Sequence, residues 1–172
     1  APELKPVTVD PKDTALLILD IQNQNCTLER RPRCVTSVPK VQSLLSKARN
    51  KGMAVVYSLA GQATAADIKM ELTPLPGEPV VRSSVDKFYN TDLEKILQEK
   101  GIKTVILVGT AAHGAVLHTA TGAALRGLKV VVPVDGMSST ETYAEQYTAW
   151  HLVNGPGTQK QTTLTKINLI QF

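Results

Sequence analysis

Unbroken apolar runs separated by amphipathic stretches set the rhythm of this chain. Thr14-Ala-Leu-Leu-Ile-Leu19 and Thr104-Val-Ile-Leu-Val108 show no polar alternation, as expected of strands covered on both faces of a parallel sheet. Shorter runs at Met53 to Tyr57, Pro79 to Val81, Lys129 to Val134 and Thr163 to Leu169 predict further strands. Between them, Val35 to Lys51 places Val38, Val41, Leu44, Leu45 and Ala48 on one helical face, and Gly52 ends it. Thr91-Asp-Leu-Glu94 has the spacing of a capping box and predicts a helix to Lys100. After Gly114, small residues at helical spacing (Ala115, Thr119, Ala120, Ala123, Ala124) predict a helix lying close to the sheet until Gly127, and another helix runs from Thr140 to about Asn154. The alternation gives an α/β fold: a three-layer α/β/α arrangement with a mainly parallel, Rossmann-like sheet of about six strands and right-handed crossovers.

Composition narrows this picture. The 172 residues, 42% of them hydrophobic, suit one domain spanning residues 1–172. The net charge of +4 comes from scattered lysines and arginines, so no nucleic-acid partner is expected. No apolar run approaches the roughly 18 residues that would span a bilayer, so no membrane partner is expected either. Cys26 and Cys34 flank the polar segment Thr27-Leu-Glu-Arg-Arg-Pro-Arg33, a spacing able to close a loop disulfide. The chain begins at Ala1 without an initiator methionine, which fits an exported form. A periplasmic or secreted location is therefore expected, with a cytoplasmic one as the alternative. A C-x-x-C spacing and a histidine near the cysteines are both missing, which argues against a metal site there.

In a sheet of this kind ligands bind outside the carboxyl ends of the strands. The residues to weigh are therefore Asp20, Ser58, Arg82, the turn from Gly109 to Ala115, and Asp135. Asp20 follows a buried run, where desolvation would raise its pKa toward that of a general acid or base; it could equally cap the following turn. The turn before the helix at Gly114 offers free N–H groups suited to an anion or oxyanion, although an ordinary strand-to-helix connection has the same sequence. His113 could donate to a bound carboxylate or to loop backbone. Phe88 and Tyr89 could wall a pocket or belong to the core.

Taken in order, Asp20 with Gln22-Asn23, then Arg82 ahead of Phe88-Tyr-Asn-Thr-Asp-Leu93, then Gly109-Thr-Ala-Ala-His-Gly-Ala115 and its helix resemble the isochorismatase-like hydrolase superfamily. That superfamily includes nicotinamidases, other cysteine amidohydrolases and true isochorismatases, and the resemblance runs from Thr14 to the last strand. It implies a homo-oligomeric α/β hydrolase that acts on a small anionic or amide-like molecule without a cofactor. By the same resemblance Asp20 is the catalytic aspartate, Arg82 stands where a catalytic lysine is usual, and Ala115 stands at the nucleophilic cysteine. Thr110–Ala111 matches a non-proline cis peptide at the oxyanion site, with Gln22, His113 and Phe88 as substrate contacts. The aspartate and histidines of a nicotinamidase metal cluster have no counterpart after Tyr57, so no metal is expected.

A methyl group cannot attack an amide, so the chain as written lacks thiol chemistry. True isochorismatases resemble it in carrying a small residue at the Ala115 position and an Ala-His pair at Ala112-His113. In that class the aspartate protonates a vinyl ether and water completes the hydrolysis. The aromatic residue they place before that pair is Ala111 here, and Ser58-Leu-Ala-Gly61 lacks their glutamine and arginine. Three readings follow: a hydrolase using Asp20 as general acid/base with Arg82 holding a carboxylate; a cysteine amidohydrolase with alanine substituted at its nucleophile; and a non-catalytic member binding a small molecule or protein partner.

Overall fold

The computed structural model describes residues 1–172. In chain order the main elements are β1 (Val7–Thr8), β2 (Thr14–Leu19), α1 (Pro32–Asn50), β3 (Ala54–Leu59), β4 (Val80–Arg82), α2 (Leu93–Glu99), β5 (Thr104–Thr110), a π-helical turn (Ala112–Val116), α3 (Leu117–Leu125), β6 (Lys129–Pro133), β7 (Met137–Ser138), α4 (Thr142–Asn154), β8 (Thr162–Thr165) and β9 (Ile170–Gln171). Six strands pair in the order β4-β3-β2-β5-β6-β8, and the short β7 joins β5 to make a seven-stranded sheet. Every pairing is parallel, including the separate β1–β9 pair.

The apolar runs explain the layering. Side chains alternate across a strand, so Ala15, Leu17 and Leu19 of β2 pack with α2, α3 and α4, while Leu16 and Ile18 pack with α1. β5 divides the same way: Val105 and Leu107 face one side, Ile106 and Val108 the other. Each of these leucine, isoleucine and valine side chains contributes about 1.5–3 kcal/mol through burial. Along the chain, β2, β3 and β4 step toward one edge, whereas β5, β6 and β8 step toward the other. The direction reverses between β2 and β5, and a crevice opens at such a point at the strands' carboxyl ends.

Several boundaries differ from the sequence pattern for local reasons. α1 starts at Pro32, before Val35, because proline fits the first helical turn, where its missing N–H is not needed. The capping box at Thr91 does not form: Thr91 Oγ1 accepts from Leu93 N at 3.2 Å, but the Glu94 carboxylate is taken by Arg126, the residue just past α3. The last predicted strand divides into β8, a 3-10 turn at Ile167–Leu169, and β9. Asp135 Oδ1 accepts from Ile167 N at 2.9 Å, so this aspartate supports the turn and lies outside the candidate chemistry.

Cys26 and Cys34 form a disulfide that ties the loop after β2 to the first turn of α1. Both cysteines are fully buried. Closing a loop of sequence separation 8 contributes about 2–3 kcal/mol in the chain-entropy picture.

Candidate active site

Backbone geometry brings the two central strands together where the crevice opens. Leu19 of β2 pairs with Gly109 of β5, and a Cβ on Gly109, whose φ is +147°, would lie 2.2 Å from the Leu19 carbonyl oxygen. Only glycine permits this approach. Asp20 follows at once with φ +58°, a left-handed conformation uncommon outside glycine. Its backbone N–H donates to Ser58 O at 3.1 Å. On the β5 side the Thr110–Ala111 peptide is cis, and the π-helical turn carrying Ala115 begins at the next residue.

Asp20 is 5% exposed, and its carboxylate has partners at both oxygens. Ser58 Oγ donates to Oδ1 at 2.7 Å, and Lys87 Nζ lies 2.8 Å from Oδ2. Lys87 is 0% exposed; its ammonium also donates to the carbonyls of Leu59 (3.4 Å), Ser83 (3.0 Å) and Ser84 (2.5 Å). Burial pushes the Asp20 carboxyl above the usual aspartate range, while Lys87, Ser58 and, more weakly, Arg31 pull it partway back. α3 fixes the lysine's position. Lys87 N–H donates to Thr119 Oγ1 at 3.1 Å, and the Phe88 ring sits so close to Gly122 that a Cβ there would meet it at 2.9 Å. Val85 of the same segment lies against the Ala115 turn, 3.8 Å from where a Cβ on Gly114 would stand.

Arg82 is therefore not the cation of this site. It ends the edge strand β4, is exposed, and donates through Nη1 to Gly61 O at 2.7 Å. The chain folds back over the next few residues, and the lysine that meets Asp20 is Lys87. Lys87, and not Arg82, is thus the basic side chain paired with Asp20.

Other expected contacts also move. Gln22 is buried and occupied at both ends by Ala60, accepting from its N–H at 2.9 Å and donating to its carbonyl at 3.2 Å. It joins the loops after β2 and β3, which commits one N–H and its oxygen to the backbone. Phe88 is buried in the core under the Arg126 guanidinium, 4.2 Å from the ring centroid, and the cavity it lines, with Glu94, Leu97 and Arg126, includes neither Asp20 nor Ala115. His113 projects from the π-helical turn into solvent, and Ala115 is buried.

Arg31 escaped the sequence pattern. This last residue before α1 is partly buried, and its Nη1 donates at 3.0 Å to Thr110 Oγ1, which in turn donates to Ser138 O at 3.0 Å. The only hint in the sequence is an arginine inside a loop that two cysteines can close. Lys87 left a fainter one, a lysine directly before an aromatic residue that is drawn into the core. A cavity of about 770 Å³ lies at the opposite end of the sheet beside Asp13, Lys103, Thr104, Lys129 and Gln161 and includes no residue of this cluster.

Comparison with known proteins gives a consistent set of similarities. A model described as the isochorismatase domain matches residues 14–165. A secreted isochorismatase effector of Verticillium dahliae is 33% identical over 148 residues, 79% of this chain and 78% of its own length. Among solved structures, a cysteine hydrolase from Pseudomonas syringae pv. phaseolicola superposes with TM-score 0.84 at 17% identity, covering 98% of this chain and 95% of its own. An isochorismatase family protein from Desulfovibrio vulgaris superposes with TM-score 0.83 at 20% identity, covering 91% and 95%.

Proposed function

The chain belongs to the isochorismatase-like hydrolase family, and from that premise we propose that it hydrolyses a small carboxylate-bearing enol ether, with Asp20 as general acid and no covalent intermediate. The observation that carries this reading is a buried carboxyl held between Lys87 Nζ and Ser58 Oγ, beside a turn whose Ala115 offers no nucleophile. Asp20 delivers its proton to the terminal methylene carbon of the enol ether, leaving an oxocarbenium ion. Water adds to the cationic carbon and loses a proton, and the resulting hemiketal collapses to an alcohol and a keto acid. Lys87 and Ser58 hold the carboxylate that remains, so it can take up the proton lost by water. In this reading the carboxylate left on Asp20, rather than a thiol, stabilises the positive charge that develops on the oxocarbenium ion.

Isochorismate is the direct probe, because its hydrolysis releases pyruvate that lactate dehydrogenase converts with consumption of NADH. The expected result is pyruvate release with kcat/KM falling as pH rises through the Asp20 pKa. The sign follows from the chemistry: the protonated carboxyl is the active form, and burial extends its range upward toward neutral pH. Absence of pyruvate at enzyme concentrations in the micromolar range, or activity that grows with pH, would remove the general-acid assignment.

The Lys87–Asp20 pair also favours a second reading, a cysteine-type amidohydrolase with alanine at its nucleophile position. A thiol placed there would have both a proton acceptor and a cation nearby. Ala115→Cys is then expected to gain ammonia release from a primary carboxamide such as nicotinamide, which the parent lacks. A folded variant that releases none sets this reading aside. For location, the Cys26–Cys34 bridge together with similarity to a secreted relative supports action in an oxidising compartment outside the cytoplasm.

A further inference from the structure

We propose that Arg31 is the residue through which this site selects a carboxylate-bearing substrate, and that the Cys26–Cys34 bridge is the clasp that holds it there. The assignment deepens the hydrolase reading above and rests on it for the identity of the pocket. Four observations carry it.

Arg31 is placed by the loop and not by its neighbours in sequence. Its N–H donates to Thr27 O at 2.8 Å, and the N–H of Cys34 donates back to Arg31 O at 2.9 Å. The arginine therefore sits inside a loop closed covalently at Cys26 and Cys34 and non-covalently across its middle. The side chain then reaches across to β5, where Nη1 donates at 3.0 Å to Thr110 Oγ1, on the residue that begins the cis Thr110–Ala111 bond. Of the residues the family pattern assigns to catalysis and the oxyanion turn, Thr110 is the one hydrogen-bonded to this guanidinium.

The guanidinium is under-used. Nε is buried and finds no acceptor in the protein, although a buried donor left unpaired is costly and such groups are nearly always satisfied. Its neighbour Arg30 behaves differently, being exposed and donating to Gln24 O at 2.7 Å. Arg33 is likewise committed, bidentate to Glu145 of α4 at 2.7 Å through both Nε and Nη2. Of the three arginines in the loop, only Arg31 faces the site with its fork incompletely filled.

The electrostatics complete the case. Burial, and then Arg30, lower the Arg31 guanidinium below its usual value, and the Asp20 carboxylate is close enough to pull it partway back. No carboxylate forms a salt bridge with Arg31. A planar guanidinium with a free edge matches a carboxylate in a bidentate fashion. In an enol ether of the class proposed above, the carboxylate adjoins the carbon that becomes cationic, so Arg31 would fix the group and orient its methylene toward Asp20.

Binding of benzoate and benzamide to the intact protein tests this without turnover, because the two are alike in shape and differ in charge. The parent is expected to bind benzoate at least about 10-fold more tightly than benzamide. The Arg31 Nε–Hε NMR resonance should move on adding benzoate and stay in place with benzamide. Arg31→Gln should abolish the preference and Arg31→Lys should retain part of it; the lysine variant carries the test if the glutamine variant fails to fold. Cys26→Ser/Cys34→Ser should lose most of the preference while its Arg31 signal sharpens toward that of a mobile side chain. Equal binding of the two probes by the parent, or an undiminished preference in Arg31→Gln, overturns the assignment; an undiminished preference in the double serine variant overturns the clasp. The two proposals fail separately: benzoate preference without pyruvate release from isochorismate keeps Arg31 and removes the hydrolase reading, and pyruvate release without benzoate preference does the reverse.

Discussion

Replacing Asp20 by asparagine is expected to lower pyruvate release from isochorismate by about 10²- to 10⁴-fold, the range seen when a positioned general acid is removed. The substitution keeps the shape of the side chain. Its amide oxygen can face Lys87 Nζ in place of Oδ2, and its amide nitrogen can donate to Ser58 Oγ in place of accepting from it, so the hydrogen-bond framework survives. Lys87 also keeps the carbonyls of Leu59, Ser83 and Ser84. What disappears is the proton that the vinyl ether needs and the charge that remains once it has left. The loss should therefore appear in kcat, with benzoate binding at Arg31 retained. A variant retaining more than a tenth of the parent's kcat would mean that some other group supplies the proton.

How far the sequence revealed this site depended on whether chain-local physics decided the matter. Asp20 was legible because six buried residues of β2 lead straight to it, and nothing but a carboxyl site or a turn cap follows such a run. Gly109 read as the end of its strand, but β5 continues through it to Thr110, and the reason it must be glycine, the Leu19 carbonyl against its α-carbon, comes from the neighbouring strand. The disulfide was legible from spacing and is present. Lys87 was not. Its reach to Asp20 depends on the path taken from β4 to α2, set by Thr119 and Gly122 on a helix more than thirty positions away. Strand position alone pointed to Arg82, but β4 is an edge strand, and its last side chain turns outward to Gly61. Arg31 was hidden for the same kind of reason: three arginines close together look alike in sequence, and only the clasped loop turns one of them inward.

The same dependence predicts what removing the lysine will do. Lys87→Met should destabilise the protein by about 3–5 kcal/mol near neutral pH, since it leaves the Asp20 carboxylate buried without its counter-charge. Three backbone carbonyls lose a donor at the same time. The cost is expected to depend on pH in a definite direction. Without Lys87 the strongest influence lowering the Asp20 carboxyl is gone, and burial raises it further. A carboxyl raised in the folded state is no burden below its unfolded pKa and becomes one as the pH rises through its folded value. The difference between parent and variant in urea unfolding should thus be small at about pH 4.5 and widen toward pH 8. Removing the carboxylate as well, in Asp20→Asn/Lys87→Met, should recover much of the stability lost at neutral pH and flatten the dependence, because an amide beside a thioether leaves no buried charge. A deficit that is constant across this range, or a double variant whose loss equals the sum of the single ones, would show that Lys87 supports the fold through packing alone and that the Asp20 carboxylate does not rely on it.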